Sequence, residues 1–293
     1  MLRYKRALVV GAEGMLGTDL SHVFEQEGLI VYRAGLAESV RHLDITQIES
    51  IEGQLNRIKP DVVINCAAYT AVDKAESEPE LAMLVNGVGP GLLAKACYSF
   101  GVPICTISTD YVFDGDKESG YVETDTPNPL GAYAVSKYAG EVSVTEENAN
   151  HWIVRTSWLY GIHGKSFPAT IISAAQQGRP LRVVADQTGC PTYTVDLADS
   201  IFRILQAAPY GIYHAAGSGK TTWYEFAKRI LELADIKHPI SRITTIDWPT
   251  PARRPPNSIL LSEAMKNIGL TPIRYWEEGL SAYIEQWKES HKS

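Results

Sequence analysis

The stretch RALVVGAEGMLGTDL, residues 6–20, decides the fold. A short apolar run ends at Val10, glycines follow at positions 11, 14 and 17, and an amphipathic pattern continues through MLGTDLSHVFEQEG. A strand that turns directly into a helix needs three things at such a loop. Gly11 permits the tight turn, Gly14 leaves the backbone bare where a ligand approaches, and Gly17 lets helix and strand pack closely. The first amides of the helix have no partner within it, so they suit a diphosphate. Three glycines alone also describe an ordinary turn, but their place between a first strand and an amphipathic helix points to dinucleotide binding.

Working outward, β-branched runs alternate with helical patterns. LIVYRAG (29–35) follows the first helix, and Ile48, Ile51, Leu55 and Ile58 recur at helical spacing. DVVINCAA (61–68), a helix pair from Glu80 to Phe100, VPICTIST (102–109), a helix around YAVSKYAGEVSV (133–144) and HWIVRTSW (151–158) continue the alternation. Strands apolar on both faces, separated by helices, predict an α/β fold, a doubly wound parallel sheet of the Rossmann-like kind. The pattern loosens after residue 160, where DQTGCPTYT, DWPTPARRPPNS and YWEEGLSAYIEQW suggest a smaller C-terminal α/β substrate lobe. The expected division is 1–160 for the nucleotide domain and 161–293 for the lobe. VDLADSIFRILQAA and GIYHAAG again look like sheet-type elements, so the chain is expected to return to the first domain near 192–217.

With 293 residues, 45% hydrophobic and 21% charged, the chain has the composition of an ordinary globular protein. A net charge of -7, with basic residues scattered apart from RYKR and ARRP, argues against nucleic acid as a partner. Four cysteines form no CxxC pair, which fits a reducing compartment. Gly11 and Glu13 interrupt the N-terminal apolar run too early for a secretory segment, and no apolar stretch was expected to reach the roughly 20 residues that span a bilayer. These features predict a cytoplasmic protein without a membrane partner.

At the end of the second strand stands Arg33, where an NAD-preferring site usually has an acid; a guanidinium there suits a 2′-phosphate, although a solvated loop arginine is the alternative. Asp44 in LDIT is placed to accept from the adenine amino group. Two YxxxK pairs occur, Tyr133 with Lys137 and Tyr224 with Lys228. On a helix, residues four apart share a face, so a phenol and an ammonium can address one ligand. The second pair lies in a helix whose Trp223, Phe226, Ile230 and Leu231 form a packing face, and it reads as structural. The first opens a helix of small residues soon after STDYVFDG (108–115). Ligands bind beyond the carboxyl ends of parallel strands, so Thr109 and Tyr133 can converge on one carbonyl oxygen. Ser108 is the nearest competitor for the role of Thr109.

These features, with NCAAYTAVDKAESEPELAMLVN (65–86), resemble the extended short-chain dehydrogenase/reductase superfamily. STDYVFDG, RTSWLYG, DQTGCPT, YHAAGSGKTTWYEFA and TPARRPPNSIL together resemble the dTDP-4-dehydrorhamnose reductases, over the chain from first strand to last loop. The resemblance implies reduction of a 4-keto sugar nucleotide by NADPH, with NADH as a possible second cofactor. It assigns Tyr133 as general acid, Lys137 as the cation that lowers the phenol pKa and binds the nicotinamide ribose, and Thr109 as the group polarising the carbonyl. Met15, Leu16, Ile45, Ala67, Ala68, Tyr69 and Asn86 are the further cofactor residues it implies.

For the sugar nucleotide, Tyr111, Phe113 and Trp158 are candidates for an apolar wall, Asp110 and Asp73 for hydroxyl contacts, and Arg253 and Arg254 for the diphosphate. Core packing is the alternative for each aromatic. Tyr111 directly after Asp110 disfavours a dehydratase, whose Thr is usually followed by an Asp-Glu pair. A 4-epimerase and a non-catalytic regulatory subunit, like the methionine adenosyltransferase β subunit, remain the other classes. Some reductases of this kind dimerise through a metal bridged by acids on the first helix and near the PT loop. This chain has Asp19 but Val195 at the second place, so no metal requirement and a monomer or homodimer are expected.

Overall fold

The computed structural model describes residues 2–291. Its largest sheet contains β1 (Arg6–Val10), β2 (Ile30–Gly35), β3 (Arg41–His42), β4 (Val62–Asn65), β5 (Ile104–Thr109), β6 (His151–Thr156) and a late strand, Gly211–His214. They lie in the order Gly211–His214, β6, β5, β4, β1, β2, β3, and every pairing is parallel. The order reverses between β1 and β4, the switch point at which doubly wound sheets bind ligands.

Side chains alternate between the two faces of β1, as strand geometry requires. Ala7 and Val9 enter a core with Leu20 and Phe24 of α1 (Met15–Gln26) and Ile201 of the helix Thr194–Ala207. Leu8 and Val10 enter the opposite core with Ile51 and Leu55 of α2 (Ile48–Ile58), Leu93 and Val144. Burial on both faces explains why these strands lack the polar alternation of a half-exposed sheet.

The helical run Pro79–Ser99 has 21 residues and a mean hydropathy of 1.2, so by length and composition it does reach the span expected to be absent. Its apolar side chains are used inside the fold instead. Leu93, Ala94 and Cys97 are fully buried, and the helix Ala132–Glu147 packs along it. A π-turn at Leu84–Val88 interrupts this run and carries Asn86.

Beyond β6 a second core forms around Tyr160, Tyr193, Phe226, Trp276 and Tyr283, between the helices Phe167–Gln176, Trp223–Leu233 and Trp276–Ser290. Leu181–Val184 and Ile240–Ile243 pair in parallel beside it. The chain passes back through the main sheet between these elements, since Gly211–His214 pairs with β6 and Thr194–Ala207 packs on α1.

Candidate active site

The nucleotide loop is shaped by backbone contacts. Gly11 has φ +73°, and a Cβ there would come within 2.6 Å of the Ala67 nitrogen, so the turn admits no side chain. Gly14 caps α1 without a side-chain hydrogen bond, and the first turn holds no acid. The uncapped amides leading into Met15 and Leu16 therefore present the donors that a diphosphate requires. Ala67 and Ala68 are half-buried beside the loop. Asn86 receives the Tyr69 amide at 2.8 Å and donates to the Tyr69 carbonyl at 3.0 Å and to Ser136 Oγ at 3.1 Å. The π-turn thus ties the strand-end loop to the helix bearing Tyr133.

Arg33 lies within β2, two residues before its last, and one arm of its guanidinium pairs with Glu25 at 2.9 Å. Another carboxylate lies close to the same strand end, because Glu13 accepts the Leu36 amide at 3.0 Å. Asp44 Oδ1 closes a local turn by accepting from the Thr46 amide and hydroxyl. The Ile45 side chain is buried against Gly89, so it offers a ligand backbone alone.

At the carboxyl end of β5, Thr109 pairs in register with Thr156 of β6. Thr109 Oγ1 donates to Asp110 Oδ1 at 3.0 Å and accepts the Tyr111 amide at 3.2 Å. Ser108 Oγ, Asp110 Oδ2 and Thr156 Oγ1 are buried with no partner among the described residues. Three such atoms on two adjacent strand ends leave hydrogen-bonding capacity unused there. Burial pushes the Asp110 carboxyl up to about 6, only partly offset by the Ser258 and Thr109 hydroxyls.

Tyr133 and Lys137 project from one face of Ala132–Glu147 toward this edge. Burial pushes the phenol of Tyr133 up to about 12, and the Thr109 hydroxyl works against that rise. Lys137, 7% exposed, donates through Nζ to the Ile107 carbonyl at 2.7 Å. Burial lowers its pKa to about 8, opposed by Glu141 and Cys66. Glu141 lies one turn further along and makes a two-pronged bond to Arg155 at 2.9 and 2.7 Å. Sequence reading missed this pair, whose one local signal was an acid four residues after Lys137.

Several substrate candidates sit differently from expectation. Phe113 is 1% exposed, stacked on Tyr121 at 4.2 Å with the Arg155 guanidinium 5.1 Å from its ring, so it is core and no wall of a sugar site. Asp73 and Arg254, expected to meet hydroxyls and phosphate separately, are paired with each other. Arg254 grips both Asp73 oxygens at 2.9 and 2.8 Å, strapping the loop at 250–254 to the helix Val72–Ala75. Arg253 is exposed. Tyr111 meets Tyr133 edge to face at 5.9 Å, and Trp158 is half-buried two residues beyond β6.

No metal requirement was expected from Asp19 and Val195, yet among the described residues one group with ligand chemistry does come together. Asp19, His22 and His163 bring one ligand atom each within 4.8 Å of the others, a trio able to share a divalent ion. The first two lie on α1 and the third 141 positions beyond His22, so spacing along the chain could not reveal them.

A glycine loop at the switch point, a half-buried Tyr beside a buried Lys on one helix face and a hydroxyl at the neighbouring strand end define a nicotinamide-dependent reductase on the short-chain dehydrogenase scaffold. The RmlD substrate binding domain family matches residues 5–289. The chain is 42% identical over 283 residues to the dTDP-4-dehydrorhamnose reductase of Streptomyces griseus, covering 94% of this chain and 92% of that one. It is 37% identical over 281 residues to the spore coat polysaccharide biosynthesis protein SpsK of Bacillus subtilis, covering 96% and 97%. A crystal structure of dTDP-4-dehydrorhamnose reductase from Bacillus anthracis in complex with NADP superposes with a TM-score of 0.93 at 38% identity, covering 97% and 99%. The chain belongs to the dTDP-4-dehydrorhamnose reductase family.

Proposed function

We propose that this protein reduces the 4-keto group of dTDP-4-dehydro-L-rhamnose with NADPH, giving dTDP-L-rhamnose. The observation that carries the reading is the convergence of Thr109, Tyr133 and the buried Lys137 at one strand edge, where three polar atoms lack partners. The reduced nicotinamide, when bound, supplies a hydride to the carbonyl carbon. Gly11, Gly14 and the amides of Met15 and Leu16 bind the diphosphate, and Arg33 offers the guanidinium arms not taken by Glu25 to a 2′-phosphate.

Tyr133 donates its proton to the carbonyl oxygen as negative charge develops there. The phenol is protonated at neutral pH, as an acid must be, and the neighbouring cation of Lys137 stabilises the phenolate left behind. Thr109 turns its hydroxyl from Asp110 to the same oxygen and polarises it. Tyr111 and Trp158 flank the sugar, and Asp110 accepts from a sugar hydroxyl.

The test is nicotinamide oxidation on mixing protein, NADPH and the 4-keto sugar nucleotide, with product identified chromatographically. NADPH binding without turnover would favour a regulatory subunit.

A further inference from the structure

Among the described non-glycine residues, three have positive φ: Lys59, Trp158 and Asp235. Lys59 caps α2 and Asp235 follows the helix Trp223–Leu233, places where a left-handed residue commonly ends a helix. Trp158 has no such reason. At φ +45° a bulky side chain is a conformational outlier, and strain of this kind persists where surrounding structure imposes it.

The surroundings are specific. The Trp158 indole lies flat on Trp223, with ring centroids 3.5 Å apart and planes 5° from parallel. Phe167 supports Trp223 at 4.6 Å. A Cβ at residue 189 would collide with the Trp158 ring, so Gly189 leaves the space that the indole occupies. The Trp158 carbonyl is fixed by the Thr192 amide at 3.2 Å. Trp158 leaves the main sheet beside Thr156, the register partner of Thr109, whereas Trp223 opens a helix of the second core whose N-terminus Thr222 caps. The stack therefore joins the catalytic strand edge to the smaller lobe.

We propose that Trp223 is a positioning residue for the sugar nucleotide: its stack holds Trp158 in the left-handed conformation that makes the indole one wall of the sugar site. This rests on the reading of Trp158 as a substrate residue. Trp223 does not touch the reacting atoms, so its removal weakens capture of the sugar nucleotide while proton and hydride transfer proceed once the substrate is bound. An aromatic at position 223 that retains a flat face preserves much of the effect.

The experiment compares wild type with Trp223→Ala, Trp223→Phe and Trp158→Phe by steady-state kinetics with dTDP-4-dehydro-L-rhamnose, NADPH binding by fluorescence, and circular dichroism. Closely stacked indoles give an exciton couplet, which disappears in all three variants if the pair exists in solution. Loss of one aromatic stack corresponds to roughly a tenfold rise in KM for the sugar nucleotide in Trp223→Ala. kcat and NADPH affinity stay near wild type, and Trp223→Phe restores most of the KM. An unchanged KM in Trp223→Ala, or a rise matched by equal losses in kcat and NADPH affinity, would overturn the inference. Absence of any turnover by wild type would instead remove the functional reading beneath it, and the inference with it.

Discussion

Lys137 Nζ donates to the Ile107 carbonyl, 2.7 Å away and two residues before Thr109, so the helix carrying the acid is anchored to the strand carrying the hydroxyl. This bond fixes the helix bearing Tyr133 relative to Thr109, and in the proposed mechanism the ammonium stabilises the phenolate formed one helical turn earlier. Its charge is also the most fragile part of the arrangement, because burial lowers the Lys137 pKa to about 8.

The rate is therefore predicted to fall as Lys137 loses its proton. kcat/KM with the sugar nucleotide should be level near neutrality and decline above about pH 8, in place of the ordinary lysine value of 10.5. Glu141 faces Lys137 and favours its charged form, so Glu141→Gln should move the decline to lower pH. A profile that stays level past the ordinary lysine range would contradict this assignment.

Asp110 is predicted to cost stability when ionised. Its folded pKa of about 6 lies above the ordinary value of 3.8, so between these values the folded protein binds more protons than the unfolded one. Stability then falls as pH rises from about 4 to about 6, and stays lower above. Asp110→Asn should unfold less readily than wild type at pH 7, by about 2–3 kcal/mol, with the difference vanishing near pH 4. Urea unfolding of the cofactor-free protein at both pH values measures it, and equal differences at the two would refute the account.

Arg155 and Glu141 form an ion pair with side chains only 2% and 3% exposed. Removing one partner leaves a buried charge alone, so Arg155→Met should destabilise by about 3–5 kcal/mol. Arg155→Met combined with Glu141→Leu should recover most of that loss, because neither charge then remains unpaired. Thermal or urea unfolding of the single and double variants decides between this and simple additivity.

The parallel sheet and the strand-to-helix glycine loop were legible because their signals are local: apolar runs of strand length, helical spacing, and three glycines between them. That Tyr133 and Lys137 share one helix face was legible for the same reason, one helical turn being about four residues. What escaped was set by contacts between distant parts of the chain. Asp73 and Arg254 each looked available to a ligand, yet they lie 181 residues apart and bind each other. Phe113 looked like a neighbour of Tyr111 on a site wall, but the 3-10 turn Asp110–Val112 breaks strand alternation and directs Phe113 inward onto Tyr121. The stack of Trp223 on Trp158 and the approach of His163 to Asp19 likewise depend on how the second lobe folds back onto the sheet.

The most direct measurement of the central claim is the rate of NADPH oxidation with dTDP-4-dehydro-L-rhamnose in wild type and Tyr133→Phe, alongside NADPH binding to both. The account predicts turnover in wild type, a decrease of roughly 10²–10⁴-fold in kcat for the variant, and little change in NADPH affinity. Comparable turnover in the two proteins would show that the phenol is not the proton donor.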